Sequence, residues 1–422
     1  MPAPSGVSCT RICDVFKTSL GSTSSSRTKC SSRVRSKVSA SQPTMSSGLV
    51  QIRPKKLALE LRRPRLAYLS EQRWWRRLVL RLRDDPQALR LALQLSFAAL
   101  CLWIGVEFHR FVAWGQSHGS LPYTARPPGV EGFLPISALI SVKHFATTGV
   151  VDRIHPAALF ILSAIVLLSA AVKKAFCSFL CPIGTLSEYL WRLGRFVYRR
   201  NIAPPRWLDY PLRSLKYALL GFFVWSIARM DLPTLDAFIG SPYNKVADIK
   251  LYLFFAQLSG LALKAVVVLV VLSLFIKNAW CRYLCPYGGL LGIVGLFSPA
   301  KITRNKDRCI DCQLCTRACP SAIRVHRVGR VWSDECTSCF ECVAACPVKQ
   351  TLEVKAAGRT VSARQVAAIV LVIFLGFTGA GMSLGHWQND ISTAEYLQRF
   401  DRLDQPAYQH ARGHVPNYGA DD

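Results

Sequence analysis

Residues 173–186 read KKAFCSFLCPIGTL, and residues 277–290 read KNAWCRYLCPYGGL. The two stretches align without a gap, and both carry C-x3-C-P: Cys177 and Cys181 in the first, Cys281 and Cys285 in the second. Each follows an apolar run, 156–172 and 251–276. A helix needs about 20 apolar residues to cross the hydrocarbon of a bilayer. The pattern therefore predicts two parallel repeats, each a span ending in a C-x3-C-P turn, and parallel repeats often put a shared site at their interface. Cysteines four apart share one face if the span's helix continues through them. Three chemistries fit the four thiols. They hold a further metal centre or cluster, they form redox-active pairs, or they are packing cysteines at a Pro–Gly helix stop, since free cysteine is often simply buried.

The rest of the chain fits a polytopic, mainly α membrane protein. Of its 422 residues 51% are apolar and 18% charged, which excludes a disordered chain. Further apolar runs at 89–112, 212–227 and 366–384 bring the expected spans to five; 133–151, which contains Pro135, Lys143 and His144, reads as re-entrant or interfacial. The 53 Lys and Arg against 25 Asp and Glu give a net charge of +28, which by itself suggests nucleic acid. Position decides otherwise: residues 1–90, 173–216 and 277–364 hold 42 of the 53 basic residues, and the alternate segments 107–155, 230–250 and 385–422 hold nine. Five spans put the three basic segments on one side, which the positive-inside rule makes cytoplasmic. The expectation is a protein of the cytoplasmic membrane with the N-terminus inside, the C-terminus periplasmic, and no nucleic-acid partner.

The expected domains are a disordered basic region at 1–52, a membrane domain at 53–300, a cluster-binding segment at 301–358, a final transmembrane helix at 359–388 and an external tail at 389–422. Met45 is a natural start, and residues 53–90, with Trp74 and Trp75, read as a membrane-surface approach segment.

Of 16 cysteines, 12 fall into four clusters after residue 176. Cys309, Cys312, Cys315, Cys319 and Pro320 spell C-x2-C-x2-C-x3-C-P, and Cys336, Cys339, Cys342, Cys346 and Pro347 spell it again. This is the two-cluster ferredoxin run, in which the fourth cysteine of each motif ligates the other cluster. One 4Fe-4S cluster is then assigned to Cys309, Cys312, Cys315 and Cys346, the other to Cys336, Cys339, Cys342 and Cys319. Zinc more often takes two C-x2-C pairs separated by a longer loop. Between the motifs, 323–331 with Gly329 reads as a short β-hairpin, giving a small α+β ferredoxin-like segment.

The combination of two membrane-edge C-x3-C-P motifs with a double-cluster segment and a final span resembles the membrane-bound polyferredoxin family, which includes NapH and the C-terminal half of NosR. The resemblance covers roughly residues 88–390. It implies electron transfer linking the quinol pool, the iron–sulfur clusters and a periplasmic or membrane redox partner, as a quinol dehydrogenase subunit would perform it. It also implies that Cys177, Cys181, Cys281 and Cys285 are functional. The flavin-binding domain that a NosR-like protein carries before its spans has no counterpart here, so no particular reductase pathway is implied. Two other classes fit the same residues: an iron–sulfur redox sensor or regulator, and a factor that reduces or assembles a metal centre, such as copper, in another enzyme.

Several charges bear on these functions. Arg308, Arg317, Arg324, Arg327 and Arg330 surround the cluster segment, where positive charge favours the reduced cluster and also satisfies the charge bias of that side. Lys264 sits within an apolar run, about 18 Å from its inner end, and either faces a quinone, pairs with Glu107 or snorkels outward. His144 and His155, on the outer side, are candidates for binding quinone or haem.

Overall fold

The computed structural model describes Asp85–Gln409 apart from residues 200 and 203. The expected segment 1–52, most of the approach segment with Trp74 and Trp75, and the tail beyond 409 lie outside the described residues, as do Cys9, Cys13 and Cys30.

The longer helices are α1 Pro86–Gln116, α2 Pro135–Thr148, α3 Pro156–Val172, α4 Pro182–Tyr198, α5 Arg206–Ala228, α6 Leu232–Gly240, α7 Ala247–Ala256, α8 Gly260–Phe275, α9 Pro286–Leu296, α10 Ala363–Ser383 and α11 Thr393–Phe400. Local chemistry fixes many of their starts. Proline opens α1, α2, α3, α4 and α9, where its missing N–H costs nothing. Side-chain caps from Asp85, Asp231, Ser259, Ser362 and Ser392 accept the free N–H groups at the starts of α1, α6, α8, α10 and α11.

By length and composition, α1 and α10 can each cross a membrane, and α5 with α6 and α7 with α8 add two more if each bent pair is one span. The expected run 251–276 is thus not one straight helix. It breaks at Gln257–Ser259, where Ser259 caps a new helix opening on Gly260, and the two parts meet at 78°. The run 212–227 sits within α5, which bends by 104° into α6. Lys143 of α2 donates to the carbonyls of Ile227 and Ala228 at 2.9 and 3.2 Å, a cation where the helix dipole is negative.

α3 is apolar all round and is the buried centre of the bundle, packed by α2, α9 and α10. The outer helices differ: Leu102 and Trp103 on α1, Phe222 on α5, Val268 on α8 and Val372 on α10 all face outward and are exposed. Apolar faces this extensive mark contact with lipid or a partner.

The two ends of the bundle differ. At one end, Phe108, Phe111 and Trp114 of α1 pack with Val246, Ile249, Tyr396 and Phe400. At the other, Leu89, Leu93 and Phe97 of the same helix, Leu168 and Val172 of α3, and Val366 and Val370 of α10 pack with Ile302, Val325, Phe340 and Val354 of the cysteine-rich segment.

That segment carries a three-stranded antiparallel sheet, β1 Lys301–Arg304, β2 Leu352–Ala356 and β3 Arg359–Val361, with Ile302 opposite Val354 and Val354 opposite Val361. The sheet runs past the expected boundary at 358. The expected hairpin at 323–331 is corrected: Val325–Arg327 form a 3-10 turn, and the arm after it bonds to β1 instead, through Arg304 N to Gly329 O at 2.7 Å and Val331 N to Ile302 O at 2.9 Å. The hairpin is β2–β3. Its two-residue turn, Ala357 and Gly358, has φ of +48° and +81°, as a tight reverse of two twisted strands requires.

Helices α4 and α8 touch backbone to backbone. A Cβ on Gly194 would stand 1.8 Å from the carbonyl oxygen of Leu274, whereas a Cβ on Gly221 of α5 meets nothing within 4 Å. Gly194→Ala is expected to lower the thermal unfolding midpoint by several degrees, about 1–3 kcal/mol of overpacking. Gly221→Ala is expected to leave the midpoint unchanged or raise it slightly. Equal midpoints for the two variants would contradict the contact.

Candidate metal centres

The eight cysteines of the double motif line two cavities of similar size. Both are partly open; one, of about 340 Å³ counting its open mouth, is lined by Cys309, Cys312, Cys315 and Cys346, together with Arg304 and His326. The other, of about 360 Å³, is lined by Cys319, Cys336, Cys339 and Cys342 within a shell of Ile302, Ile323, Val325, Val331 and Phe340. Each cavity therefore draws three cysteines from one motif and the fourth from the other.

The backbone repeats the same device in both loops. The residues just before and just after the second cysteine are left-handed: Asp311 and Gln313 in one loop, at φ +51° and +60°, Ser338 and Phe340 in the other, at +50° and +61°. Non-glycine residues hold this conformation at a cost, so its recurrence marks a loop wrapped around something. Among the described residues, no three of His, Cys, Asp or Glu converge tightly enough for a single metal ion. Four thiols spread around a cavity fit a polynuclear cluster better than the mononuclear zinc site weighed against it.

The cavities differ in setting. Cys312 is exposed, and Arg304 lies over the outer set, with Nη1 3.2 Å from Cys309 Sγ. The inner set faces the helical bundle. Burial pushes the Cys319 thiol up to about 11 and Cys339 up to about 12, the latter against the nearby Arg90. The inner loop is gripped from the bundle at several points: Lys173 Nζ donates to Ser333 O at 2.9 Å, Ser178 Oγ to Thr337 O at 2.7 Å, and Gln87 Nε2 to Cys339 O at 2.9 Å. Arg90 bridges Glu188 of α4 at 2.7 Å and Glu341 at 3.0 Å, and Arg192 meets Glu341 at 2.6 Å.

The repeats lie directly beneath. Their cysteines are not on one continuing helix. Lys173 stands at φ +54°, ending α3, and a single turn, Ala175–Phe179, carries Cys177. Cys181 then caps α4, its Sγ accepting from Gly184 N at 3.4 Å. The second copy repeats this: the turn Ala279–Tyr283 carries Cys281, and Cys285 caps α9, accepting from Gly288 N at 3.3 Å. Both glycines are forced. A Cβ would stand 2.3 Å from Cys177 O at Gly184 and 2.9 Å from Cys281 O at Gly288.

The four thiols are near enough to feel one another. Burial raises all four, Cys181 to about 11, and Cys281 is raised further by Cys285, Cys181 and Cys177. They are nonetheless only half-buried by accessible area.

Glu335, Lys174 and Lys216 were not legible as site residues. Glu335 is buried between Lys174 Nζ, 3.4 Å away, and Lys216 Nζ, in a short contact, and it directly precedes Cys336. Asp334 beside it accepts from Tyr217 of α5. The adjacent pair Lys173–Lys174 was the available clue, and it reads equally well as part of the basic side.

The other sequence candidates have structural partners or none. Glu107 pairs with Arg110 at 3.0 Å, and Lys264 is exposed on α8, away from any ion pair among the described residues. His144 contacts Asp236 at 3.3 Å. His155 is fully buried, its Nε2 2.7 Å from Asn244 O, with Glu131 at 3.7 Å. Arg308 reaches Gln350 at 2.5 Å, while Arg317, Arg324, Arg327 and Arg330 are exposed around the cluster segment.

Comparison with known proteins matches this geometry. A 4Fe-4S binding domain family matches residues 154–201 and 258–305, one match per repeat, and a 4Fe-4S dicluster domain family matches 301–347. YccM of Escherichia coli (strain K12), named as an electron transport protein, is 42% identical over 314 residues, covering 73% of this chain and 88% of its own. The ferredoxin-type protein NapH of the same organism is 26% identical over 37% of this chain and 50% of its own. The regulatory protein NosR of Pseudomonas aeruginosa is 32% identical over 39% of this chain and 22% of its own. No solved structure matches. The chain belongs to the polyferredoxin-like family of membrane iron–sulfur electron transport proteins.

Proposed function

We propose that the chain relays electrons between the quinol pool of the cytoplasmic membrane and a redox partner protein through two 4Fe-4S clusters and a third metal centre. Cys309, Cys312, Cys315 and Cys346 hold the outer cluster. Cys336, Cys339, Cys342 and Cys319 hold the inner one. Cys177, Cys181, Cys281 and Cys285 hold the third centre, two ligands from each repeat. Bound iron–sulfur clusters supply one-electron carriage at these positions.

The observation that carries this reading is the order of the thiol sets. An outer set that includes exposed Cys312, an inner set lined by apolar residues and a third set in the turns after the bundle helices offer three stations for a line of electron transfer. The chain's own residues keep that line fixed. Lys173, Ser178, Gln87 and the Glu335 ion pairs clamp the inner loop to the bundle. Exposed Arg308, Arg317 and Arg327 around the outer set favour a partner of opposite charge. The charge distribution favours clusters on the cytoplasmic side, with 385–409 periplasmic.

The name of NosR as a regulatory protein favours a second reading, in which the clusters report redox state without turnover. Membranes containing the protein, treated anaerobically with a quinol analogue, separate the two. A relay shows reduced-cluster electron paramagnetic resonance signals that rise with the quinol-to-quinone ratio. Clusters that no ratio reduces would exclude the quinol link.

The ligand sets make a second prediction. Anaerobically purified protein should contain about twelve iron per chain if the third centre also has four. Cys346→Ser should remove the outer cluster although it lies in the second motif, Cys319→Ser the inner one, and Cys177→Ser the third, each losing about four iron. Loss of the inner cluster from Cys346→Ser would reverse the assignment. About eight iron in both the unmutated protein and Cys177→Ser would remove the third centre.

A third follows from the thiol acidities. In iron-free protein at pH 8, iodoacetamide should modify exposed Cys312 first. Cys181, raised to about 11, is only about a thousandth ionised there, so its labelling should climb about tenfold per pH unit between 8 and 10. Equal labelling rates for Cys312 and Cys181 at pH 8 would contradict the burial of that site.

A further inference from the structure

Lys173 and Lys277 occupy the same position in the two repeats. Each sends its ammonium into the cysteine-rich segment and finds a carbonyl. Lys173 Nζ donates to Ser333 O at 2.9 Å, and Lys277 Nζ donates to Arg317 O at 3.0 Å. Ser333 lies just ahead of Cys336, and Arg317 just ahead of Cys319. Those two cysteines come from different motifs, yet both line the inner cavity. The pseudo-symmetry of the bundle thus grips one cavity from two sides.

Neither lysine has a carboxylate within 4 Å among the described residues, whereas the neighbouring Lys174 spends its charge on Glu335. Lys173 is fully buried, and Lys277 is half-buried over the ring of Trp191 at 5.2 Å. Burial lowers both from the ordinary lysine value, and in each case the foremost opposing influence comes from an inner-cavity cysteine, Cys336 for Lys173 and Cys319 for Lys277. Burying a cation without a counter-charge is costly. A four-iron core with four thiolates is a net anion and becomes more so on reduction, so it supplies that counter-charge.

Resting on the ligand assignment above, we propose that Lys173 and Lys277 are paired positioning residues that neutralise the inner cluster and hold its reduction potential up. The outer cluster, reached by solvent, depends on them far less, because exposed charges are screened.

The test is a redox titration of the intact, anaerobically purified protein followed by electron paramagnetic resonance, with the inner signal identified by its absence in Cys319→Ser. Lys173→Met and Lys277→Met should each lower the reduced-to-oxidised ratio of the inner cluster at least tenfold at fixed potential, which is 59 mV for a one-electron couple. The double variant should lower it further, and the outer cluster should move less than threefold. Lys173→Arg and Lys277→Arg should restore the inner midpoint. Arg359→Gln, an exposed charge on the same segment, should move neither cluster. An inner cluster present and unmoved in both methionine variants overturns the proposal, as does an equal shift of both clusters. An inner signal lost with methionine and regained with arginine supports the charge; its loss with both shows that shape, not charge, matters, and overturns it. Unmutated protein lacking an inner signal would defeat the ligand assignment, and this inference with it.

Discussion

A buried carboxylate ties the cysteine-rich segment to the helical bundle. Glu335 lies between Lys174, from the turn after α3, and Lys216, from α5, and the next residue is Cys336. Removing one partner of such a group leaves an uncompensated charge in a low-dielectric site, at a cost of about 3–5 kcal/mol. The cysteine-rich segment therefore cannot lift from the bundle, or slide along it, without exposing or orphaning several ions together. Carbonyl contacts from Lys173, Ser178 and Gln87 act on the same loop. The arrangement sets position as much as stability, since apolar contacts alone would tolerate small shifts and paired charges do not.

Position matters because the thiol sets depend on breaks in regular structure. The C-x3-C-P turns interrupt what would otherwise be continuous helices. Lys173 turns left-handed, proline restarts the helix, and glycine lets the carbonyl of the first cysteine approach the new helix closely. Two such interruptions, one per repeat, leave four thiols within one another's electrostatic reach. The double-motif loops use left-handed residues around the second cysteine for a comparable purpose. In both places backbone that favours neither helix nor strand is stabilised by its surroundings.

Much of this was legible in the sequence, and the limits have physical causes. The apolar runs at 89–112 and 156–172 each fall within one helix and 366–384 ends one residue past α10, because proline and capping residues mark the helix starts. The breaks within 251–276 and after 227 were missed because hydropathy does not register Ser259 or Asp231 as helix starts. The spacing marked the eight ferredoxin-type cysteines as two motifs, and all eight line the two cavities. The hairpin at 323–331 failed because that arm finds its partner in β1, across the segment, where local pattern has no reach. The ion pairs around Glu335 and Arg90 were hidden for a similar reason, since each joins residues more than ninety positions apart.

The two ends of the bundle settle their buried charge differently. At the far end, Arg126 is closed by Glu131 at 2.9 Å and Asp248 at 2.5 Å, with His155 against Glu131 and Asn244. Cations and carboxylates there face one another, with Arg126 Nη2 and His155 Nδ1 left without a hydrogen-bond partner among the described residues. At the cluster end, Glu335 answers two lysines, while Lys173 and Lys277 face carbonyls instead of carboxylates. A fixed ion pair suits a joint whose charge never changes. A buried cation without a fixed partner suits a neighbour whose charge changes with each electron. Part of the basic excess at that end lies buried, bonded to the backbone just ahead of the inner cysteines, where an added negative charge would appear.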